Sequence, residues 1–226
     1  MTTMKIKICG LTNSIDASAA VSAGATDLGF VMGGSVLPQE IEPHAQAVRL
    51  TIRSLGSSAR THLVTHLTNA KDIAELSEYI GCYGIQVSEP VDVSVLEELS
   101  LLTTKPIIKT IPTNDPNYLA VLTEYLPYCD EFLVDSTNAG YIGGTGKLNN
   151  LVRCAEIAAL SPLPVWLAGG LTPDNVANSL RATGADFADV STGVSCYSSE
   201  FPRKDRKDPE KIARFITNAR SAYVES

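Results

Sequence analysis

The stretch "PVWLAGGLTPDNVANSLRATGADFADVST" (164–192) contains the alternation that decides the fold. It begins with a short apolar run (164–169), continues through a segment with helical spacing, and ends in a second short run (187–192). Thr172 is suited to the N-cap of the helix, and Pro173 is suited to its first helical position. Because strand, helix and strand follow one another, the stretch predicts one unit of a parallel α/β sheet.

The same alternation recurs along the rest of the chain. Further apolar, β-branched runs are separated by segments with helical spacing: "KIKIC" (5–9), "LGFVM" (28–32), "THLVTHL" (61–67), "YGIQVS" (83–88), "PIIKTI" (106–111) and "EFLVDS" (131–136). Eight strand–helix units with no break in composition predict a single α/β domain over 1–226, closed as a (β/α)8 TIM barrel. The alternative is an open doubly wound sheet, but "CGLTNS" (9–14) lacks the second and third glycines of a dinucleotide-binding turn.

Composition narrows the class of protein. The chain has 226 residues, of which 44% are hydrophobic and 19% charged, so a large core is expected. A formal net charge of −7 disfavours nucleic acid or an anionic membrane as partner. The start "MTTMKIKICG" (1–10) is too quickly charged for a signal peptide, and the five cysteines lack C-x-x-C spacing. We therefore expect a cytoplasmic protein with reduced thiols. The composition leaves both a monomer and a homodimer open.

The carboxyl ends of the predicted strands hold the candidate chemistry, because the ends of barrel strands converge in space. Cys9 ends the first strand and Asp135 ends the sixth, and a thiol facing a carboxyl group suggests a base and acid pair for proton transfer. The alternatives are core packing for Cys9 and a strand-end cap for Asp135. Further polar residues near the same ends are candidate substrate contacts: Lys7, Gln86, Lys109 and Asp189.

Glycine-rich turns indicate an anion site. "GYIGGTGKL" (140–148), "AGGLTPDNV" (168–176) and "VSTGVS" (190–195) follow the sixth, seventh and eighth strands. Glycine allows the backbone to approach a ligand closely, and the last two loops commonly bind phosphate in barrels. The turns predict a small phosphorylated substrate.

No metal or organic cofactor is expected. His62 and His66 lie four residues apart in a stretch that is typical of a strand, not of a metal-binding helix, and proton transfer of this kind needs neither group.

Several motifs, in order along the chain, resemble the phosphoribosylanthranilate isomerase family: "KICGLT" (7–12), "GATDLGFVM" (24–32), "FLVDS" with "GGTGK" (132–147), "LAGGLTPDNV" (167–176), "FADVSTGV" (187–194) and "KDPEKIARFI" (207–216). The resemblance implies an Amadori rearrangement of tryptophan biosynthesis, in which an aminoaldose phosphate becomes an aminoketose phosphate. It implies Asp135 as general acid at the ribose ring oxygen and Cys9, as a thiolate, as general base at C2′. It also implies a phosphate site near Gly144, Thr145, Gly146, Gly169, Gly170, Ser191, Thr192 and Gly193.

Departures from the family concern the aromatic half of the substrate. The segment "GGSVLPQEIEP" (33–43) lacks the arginine expected to meet the anthranilate carboxylate, and Ser88 and Ser195 replace a histidine and a glutamate. Three hypotheses follow: this isomerase with a divergent pocket, a related isomerase of another phosphorylated sugar or aminosugar, or a non-catalytic phosphate-binding barrel.

The polar stretch "CYSSEFPRKDRKDPE" (196–210) is expected to form an extended loop before the last helix. It is either solvated or a lid that supplies the missing cation from one of its basic residues: Arg203, Lys204, Arg206 and Lys207.

Overall fold

Eight parallel strands close into a barrel in sequence order, with the first strand paired to the eighth. The computed structural model describes residues 4–33, 38–113, 115–135, 151–197 and 202–223. The barrel strands are β1 (Ile6–Ile8), β2 (Asp27–Met32), β3 (Arg60–Thr65), β4 (Gly84–Val87), β5 (Ile107–Pro112), β6 (Glu131–Asp135), β7 (Val165–Ala168) and β8 (Phe187–Val190). The predicted (β/α)8 barrel is confirmed.

Helices follow the strands and cover the outside of the barrel. They are α1 (Ser14–Ser22), α2 (Pro38–Leu55), α3 (Ala70–Ile80), α4 (Val93–Leu102), α5 (Tyr118–Tyr125), α6 (Leu151–Leu160), α7 (Val176–Thr183) and α8 (Pro209–Ser221). None of the described helices combines the length and the apolarity that a bilayer crossing demands.

Strand alternation divides the core into two parts. Outward-facing residues such as Phe132 and Val134 pack with the helices in the larger cluster. Inward-facing residues form a small separate cluster inside the barrel: Ile108, Leu133, Trp166, Ala168 and Phe187. Successive strand residues point to opposite faces, so residues two positions away from a member of this inner cluster on the same strand also face the barrel interior.

Side-chain caps set the start of several helices, but not of α7. Asn13 and Asn69 cap α1 and α3 through their side chains, and Asp208 caps α8. The predicted N-cap at Thr172 is wrong, because α7 begins only at Val176. The Asn175 Oδ1 atom accepts a hydrogen bond from the Thr172 N–H at 2.8 Å, so residues 172–175 form a turn before the helix.

The stretch 196–210 is not the extended loop that the sequence predicted. Its described residues form an antiparallel hairpin of β9 (Ser195–Tyr197) and β10 (Pro202–Lys207), and α8 follows at once. Asp16 on α1 anchors this hairpin through the Arg206 guanidinium and the Lys207 backbone N–H, both 3.0 Å from its Oδ2. A buried carboxylate and main-chain pairing hold the polar segment, and neither leaves an apolar pattern in the sequence.

Candidate active site

Cys9 lies at the carboxyl end of β1, on the face that points into the barrel. Its backbone N–H donates to the Val190 carbonyl at 2.8 Å, which joins this residue to the end of β8. Only 6% of the residue is exposed. The thiol lies over Gly29, where an added Cβ atom would come within 2.8 Å of Sγ. The glycine on β2 therefore makes the space that the thiol occupies.

Asp135 ends β6 and faces the same interior. Leu133, two residues earlier, belongs to the inner cluster, so strand alternation directs Asp135 to the barrel side as well. The carboxylate of Asp189 lies within electrostatic reach of both Cys9 and Asp135, since it contributes to the raised pKa of Cys9 and is itself affected by Asp135. The structure thus brings both predicted catalytic residues to the opening of the barrel at the carboxyl ends of its strands, around Asp189. We call this opening the mouth.

Burial sets the protonation state of Cys9 in the ligand-free protein. Loss of water raises the pKa of the thiol to about 11, and the negative charge of Asp189 adds to the increase. The ammonium groups of Lys7 and Lys207 act in the opposite direction. The resting residue is therefore a thiol at neutral pH, and the thiolate that the sequence analysis expected requires proton transfer to another group.

Lys7, Gln86 and Asp189 form a polar chain inside the barrel. The fully buried Lys7 ammonium donates to the Gln86 side-chain oxygen and lies 3.4 Å from Asp189 Oδ2. Asp189 Oδ1 is buried and has no hydrogen-bond partner among the described residues, and burial raises the pKa of this carboxyl group. An unsatisfied buried oxygen is costly, so it is a ready hydrogen-bonding position for a substrate hydroxyl group.

The structure does not bring Lys109 to this chain. Ile108 belongs to the inner cluster and the Thr110 side chain meets Gln86, so Lys109 between them points outward. Its ammonium donates to the carbonyl oxygens of Val87 and Glu89 and lies 5.2 Å from the centre of the Tyr125 ring. Its position corrects the expectation of a substrate contact, because strand alternation turns the side chain away from the barrel interior.

Two of the predicted phosphate turns meet at the mouth. Gly169 and Gly170 have φ of 80° and 65°, a backbone conformation that residues other than glycine rarely adopt. Gly193, with Ser191 and Thr192 before it, lies so close to the β7 loop that a Cβ atom would be 1.9 Å from the Leu171 carbonyl oxygen. The third turn, with Gly144, Thr145 and Gly146, lies outside the described residues.

Lys207 was named in the sequence analysis only as one possible source of the cation missing for the anthranilate carboxylate, and its contact with Ser191 was not predicted. This lysine was one of four basic residues in a polar stretch, yet it is 2% exposed and its ammonium donates to Ser191 at the mouth. Its place directly before the helix cap Asp208 was the available signal, because that cap fixes where the chain returns to the barrel.

The histidines of the predicted strand stretch 61–67 have separate partners, and His66 lies just beyond the end of β3. His62 lies inside the barrel, with its Nε2 atom 2.7 Å from Asp27 Oδ1, whereas His66 Nδ1 lies 2.7 Å from Glu89 Oε1. Within the described ranges, no group of three His, Cys, Asp or Glu side chains is arranged to hold a metal ion.

The fold and the mouth define an enzyme of the (β/α)8-barrel class. The family model for N-(5′-phosphoribosyl)anthranilate (PRA) isomerase matches residues 6–218. A relative of that name from Halorubrum lacusprofundi is 32% identical over 216 residues, covering 95% of this chain and 96% of the relative. The chain therefore belongs to the phosphoribosylanthranilate isomerase family, an isomerase family, as its motifs indicated.

Solved structures agree on the fold. The phosphoribosylanthranilate isomerase from Thermotoga maritima superposes with a TM-score of 0.81 at 22% identity, over 97% of this chain and 100% of that one. A second solved isomerase of this name, in complex with reduced 1-(o-carboxyphenylamino)-1-deoxyribulose 5-phosphate, gives 0.77 at 20% identity. It covers 97% of this chain and 100% of its own.

Proposed function

We propose that this protein converts N-(5′-phosphoribosyl)anthranilate into 1-(o-carboxyphenylamino)-1-deoxyribulose 5-phosphate, an Amadori rearrangement of tryptophan biosynthesis. The observation that carries the proposal is the placement of Cys9 and Asp135 on inward-facing strand ends, both within electrostatic reach of Asp189. Membership of the isomerase family supports the choice of substrate. The protein acts in the cytoplasm in this proposal, as a monomer or a homodimer.

Asp135 opens the ribose ring in the first step. Its carboxylic acid gives a proton to the ring oxygen while the bond between that oxygen and C1′ breaks. The lone pair of the anilino nitrogen forms the C1′–N double bond of an iminium ion. The proton is needed at this oxygen because an unprotonated alkoxide is a poor leaving group.

Cys9 acts in the second step as a thiolate. It removes the proton from C2′, and the electron pair of that C–H bond forms a C1′–C2′ double bond while the iminium nitrogen regains its lone pair. The resulting enolamine takes a proton at C1′ and loses the proton on its C2′ oxygen, which gives the aminoketose. The step needs neither a metal ion nor an organic cofactor, because protons alone are moved.

The two steps require one proton on Asp135 and none on Cys9. The reactive form therefore pairs an Asp135 carboxylic acid with a Cys9 thiolate. The pair of an Asp135 carboxylate with a Cys9 thiol has the same number of protons, so the two pairs differ only in which residue carries the proton. The cost of forming the thiolate is large, because burial raises the pKa of Cys9 to about 11. Nearby cations are therefore essential to the proposal.

The other mouth residues bind the substrate in this proposal. Gln86 orients the Lys7 ammonium, which pairs with Asp189, and the Asp189 Oδ1 atom accepts from a ribose hydroxyl group. The phosphate rests on the backbone N–H groups of the glycine turns after β6, β7 and β8. Left-handed glycines and closely packed loops support the last two of these turns.

A direct assay tests the proposed reaction. Phosphoribosylanthranilate is fluorescent, so its turnover is followed as a loss of fluorescence with the purified wild-type protein. We expect turnover that saturates with substrate and complementation of a tryptophan auxotroph lacking this isomerase. A protein that leaves the fluorescence unchanged at enzyme concentrations comparable to the substrate would refute the assignment.

A related isomerase of another phosphorylated sugar or aminosugar is the second candidate. The observation that favours it is the absence of arginine from residues 33–43, together with Ser88, whose hydroxyl group lies 3.2 Å from Gln86 Nε2. In that case phosphoribosylanthranilate is not turned over, and a screen of phosphosugars in heavy water shows deuterium exchange beside a carbonyl group. A non-catalytic binding barrel would show neither, but phosphate esters would raise its melting temperature.

Asp135→Asn is expected to reduce kcat by about 10² to 10³-fold with little change in KM, because the amide keeps the shape of the carboxyl group but donates no proton to the ring oxygen. Steady-state kinetics with phosphoribosylanthranilate measure the effect. The control is Asp92→Asn at the N-cap of α4, where asparagine caps equally well and kcat is expected to stay unchanged. An Asp135→Asn protein within threefold of wild type would remove this residue from the acid role.

Gly29→Ala is expected to reduce kcat by at least about tenfold, because the new methyl group would displace the Cys9 thiol from which it is 2.8 Å away. The matched control is Gly84→Ala, which crowds His62 Nδ1 at the same distance of 2.8 Å on another strand. The control is expected to lower the melting temperature and to retain kcat. Equal kcat values for the two variants would show that the thiol position does not limit turnover.

A further inference from the structure

We propose that Lys207 is the cation that stabilises the Cys9 thiolate in the reaction, a role that rests on the proposed function of Cys9 as general base. Lys207 is a positioning residue in this proposal, because it acts on the substrate only through the thiol. Its ammonium lies at the mouth although the residue belongs to the hairpin, far from Cys9 in sequence.

The location of the Lys207 ammonium is the first argument. It donates to the Ser191 carbonyl oxygen at 3.1 Å and to the Ser191 hydroxyl oxygen at 3.3 Å. A methyl group placed on Gly10, the residue after Cys9, would lie 3.3 Å from the same nitrogen. The ammonium therefore adjoins Gly10, one residue after Cys9, and Lys207 is only 2% exposed.

The surroundings of Lys207 are the second argument. Ion pairs between described residues at the mouth and hairpin join Lys7 to Asp189 and Arg206 to Asp16, and no such pair includes Lys207. A buried ammonium without a carboxylate partner is costly, and burial lowers the pKa of this group. A thiolate at Cys9 favours the protonated form of this ammonium more than Asp189, Asp16 or Cys196 does.

Among the described residues, the charges that act on Cys9 come from β8, β1 and β10. Asp189 on β8 opposes a thiolate, whereas Lys7 on β1 and Lys207 on β10 favour it. Lys7 is already shared between Gln86 and Asp189, so its charge is largely committed to that carboxylate. Lys7 lowers the pKa of Cys9 more than Lys207 does, but it also pairs with Asp189. In the part of the chain that the structure describes, Lys207 is therefore the cation without a carboxylate partner that can stabilise the thiolate.

The hairpin fixes this cation in place. Arg206 and the Lys207 backbone N–H both bind the 3%-exposed Asp16, and the next residue, Asp208, caps α8 and donates its backbone N–H to the Val194 carbonyl at 2.8 Å. These contacts use the main chain or neighbouring side chains. Replacing the Lys207 side chain consequently leaves the hairpin anchored, and the variants are expected to fold.

The test compares Lys207→Met with Lys207→Arg and with Lys211→Met. Lys211 is the matched control, because its ammonium also donates to a carbonyl oxygen, that of Ser195, at 3.0 Å. Thiolate formation is measured from its ultraviolet absorbance as pH rises, and the signal of Cys9 is isolated by subtracting a Cys9→Ser protein. The measurement uses the full chain without substrate.

We expect Lys207→Met to move the midpoint of Cys9 ionisation upward by about one pH unit, and the arginine and Lys211→Met proteins to stay near wild type. Since one pH unit is tenfold in thiolate, kcat of Lys207→Met should fall about tenfold and recover as pH rises, with KM little changed. The affinity for inorganic phosphate, measured by calorimetry, should remain within about twofold.

Other outcomes overturn the inference. An unchanged Cys9 midpoint in Lys207→Met refutes it, and a tenfold loss of phosphate affinity with that unchanged midpoint assigns the ammonium to the phosphate site instead. Turnover that survives in Cys9→Ser defeats the proposed function itself. Because the titration contains no substrate, its result is distinguishable from that failure.

Discussion

Cys9→Ser is expected to reduce kcat by about 10² to 10⁴-fold while the protein remains folded, the largest catalytic effect among the variants considered. A serine hydroxyl group has nearly the shape of the thiol but is a far weaker acid, so the base that removes the C2′ proton is lost. The phosphate turns and the Asp189 chain are untouched, and we expect KM to change by less than about threefold. Fluorescence kinetics and single-turnover measurements check both values.

Cys82→Ser is the matched control for this variant. Burial also raises the pKa of Cys82 to about 11, but this residue lies between α3 and β4, where its thiol donates to the Ser77 carbonyl. Its substitution is expected to lower the melting temperature and to leave kcat unchanged. If Cys9→Ser keeps kcat within threefold of wild type, the second step of the proposed reaction is wrong. If both variants lose activity equally, general damage to the core explains the loss.

Gly193→Ala is expected to destabilise the protein by about 1–3 kcal/mol and to reduce the affinity for phosphate esters by at least about tenfold. A Cβ atom at this position would lie 1.9 Å from the Leu171 carbonyl oxygen and 2.9 Å from its carbon. Both atoms belong to backbone, so the overlap is relieved only by separating the β7 and β8 turns. Those turns carry two of the three predicted phosphate contacts.

The control separates lost stability from a lost binding site. Gly56→Ala places a side chain at a φ of +59° with no atom within 4 Å, so it strains the backbone far from the mouth. We expect it to lower the melting temperature and to leave phosphate affinity unchanged. Phosphate affinity in Gly193→Ala equal to that in Gly56→Ala would show that the two turns do not form the anion site.

The register of the barrel explains why some predicted site residues meet and another does not. Cys9, Lys7 and Asp189 face inward because their strands place them on the alternate residues that point to the barrel axis. Lys109 was predicted from its position near a strand end alone. The neighbours Ile108 and Thr110 take the inward positions, so this lysine lies on the helix side.

The sequence by itself determined the alternation of strands and helices, and with it the closed barrel and the residues at the strand ends. It also determined the family, because the motifs around Cys9, Asp135 and the glycine turns follow one another in order. These features are written in local patterns: apolar periodicity, helix caps and glycine at turns. Such local patterns can be recognised in the sequence without knowledge of the fold.

Only the tertiary structure decided that Cys9 is buried as a thiol, that Lys109 points away from the barrel interior, and that Lys207 comes to the mouth. Each depends on charges or backbone brought from distant parts of the chain, such as Asp16 holding a hairpin that begins at Ser195. Electrostatic interactions and burial depend on separation in space, and polar residues in a hairpin carry no periodic signal. The physical reason is that proximity, unlike periodicity, is a property of the folded chain.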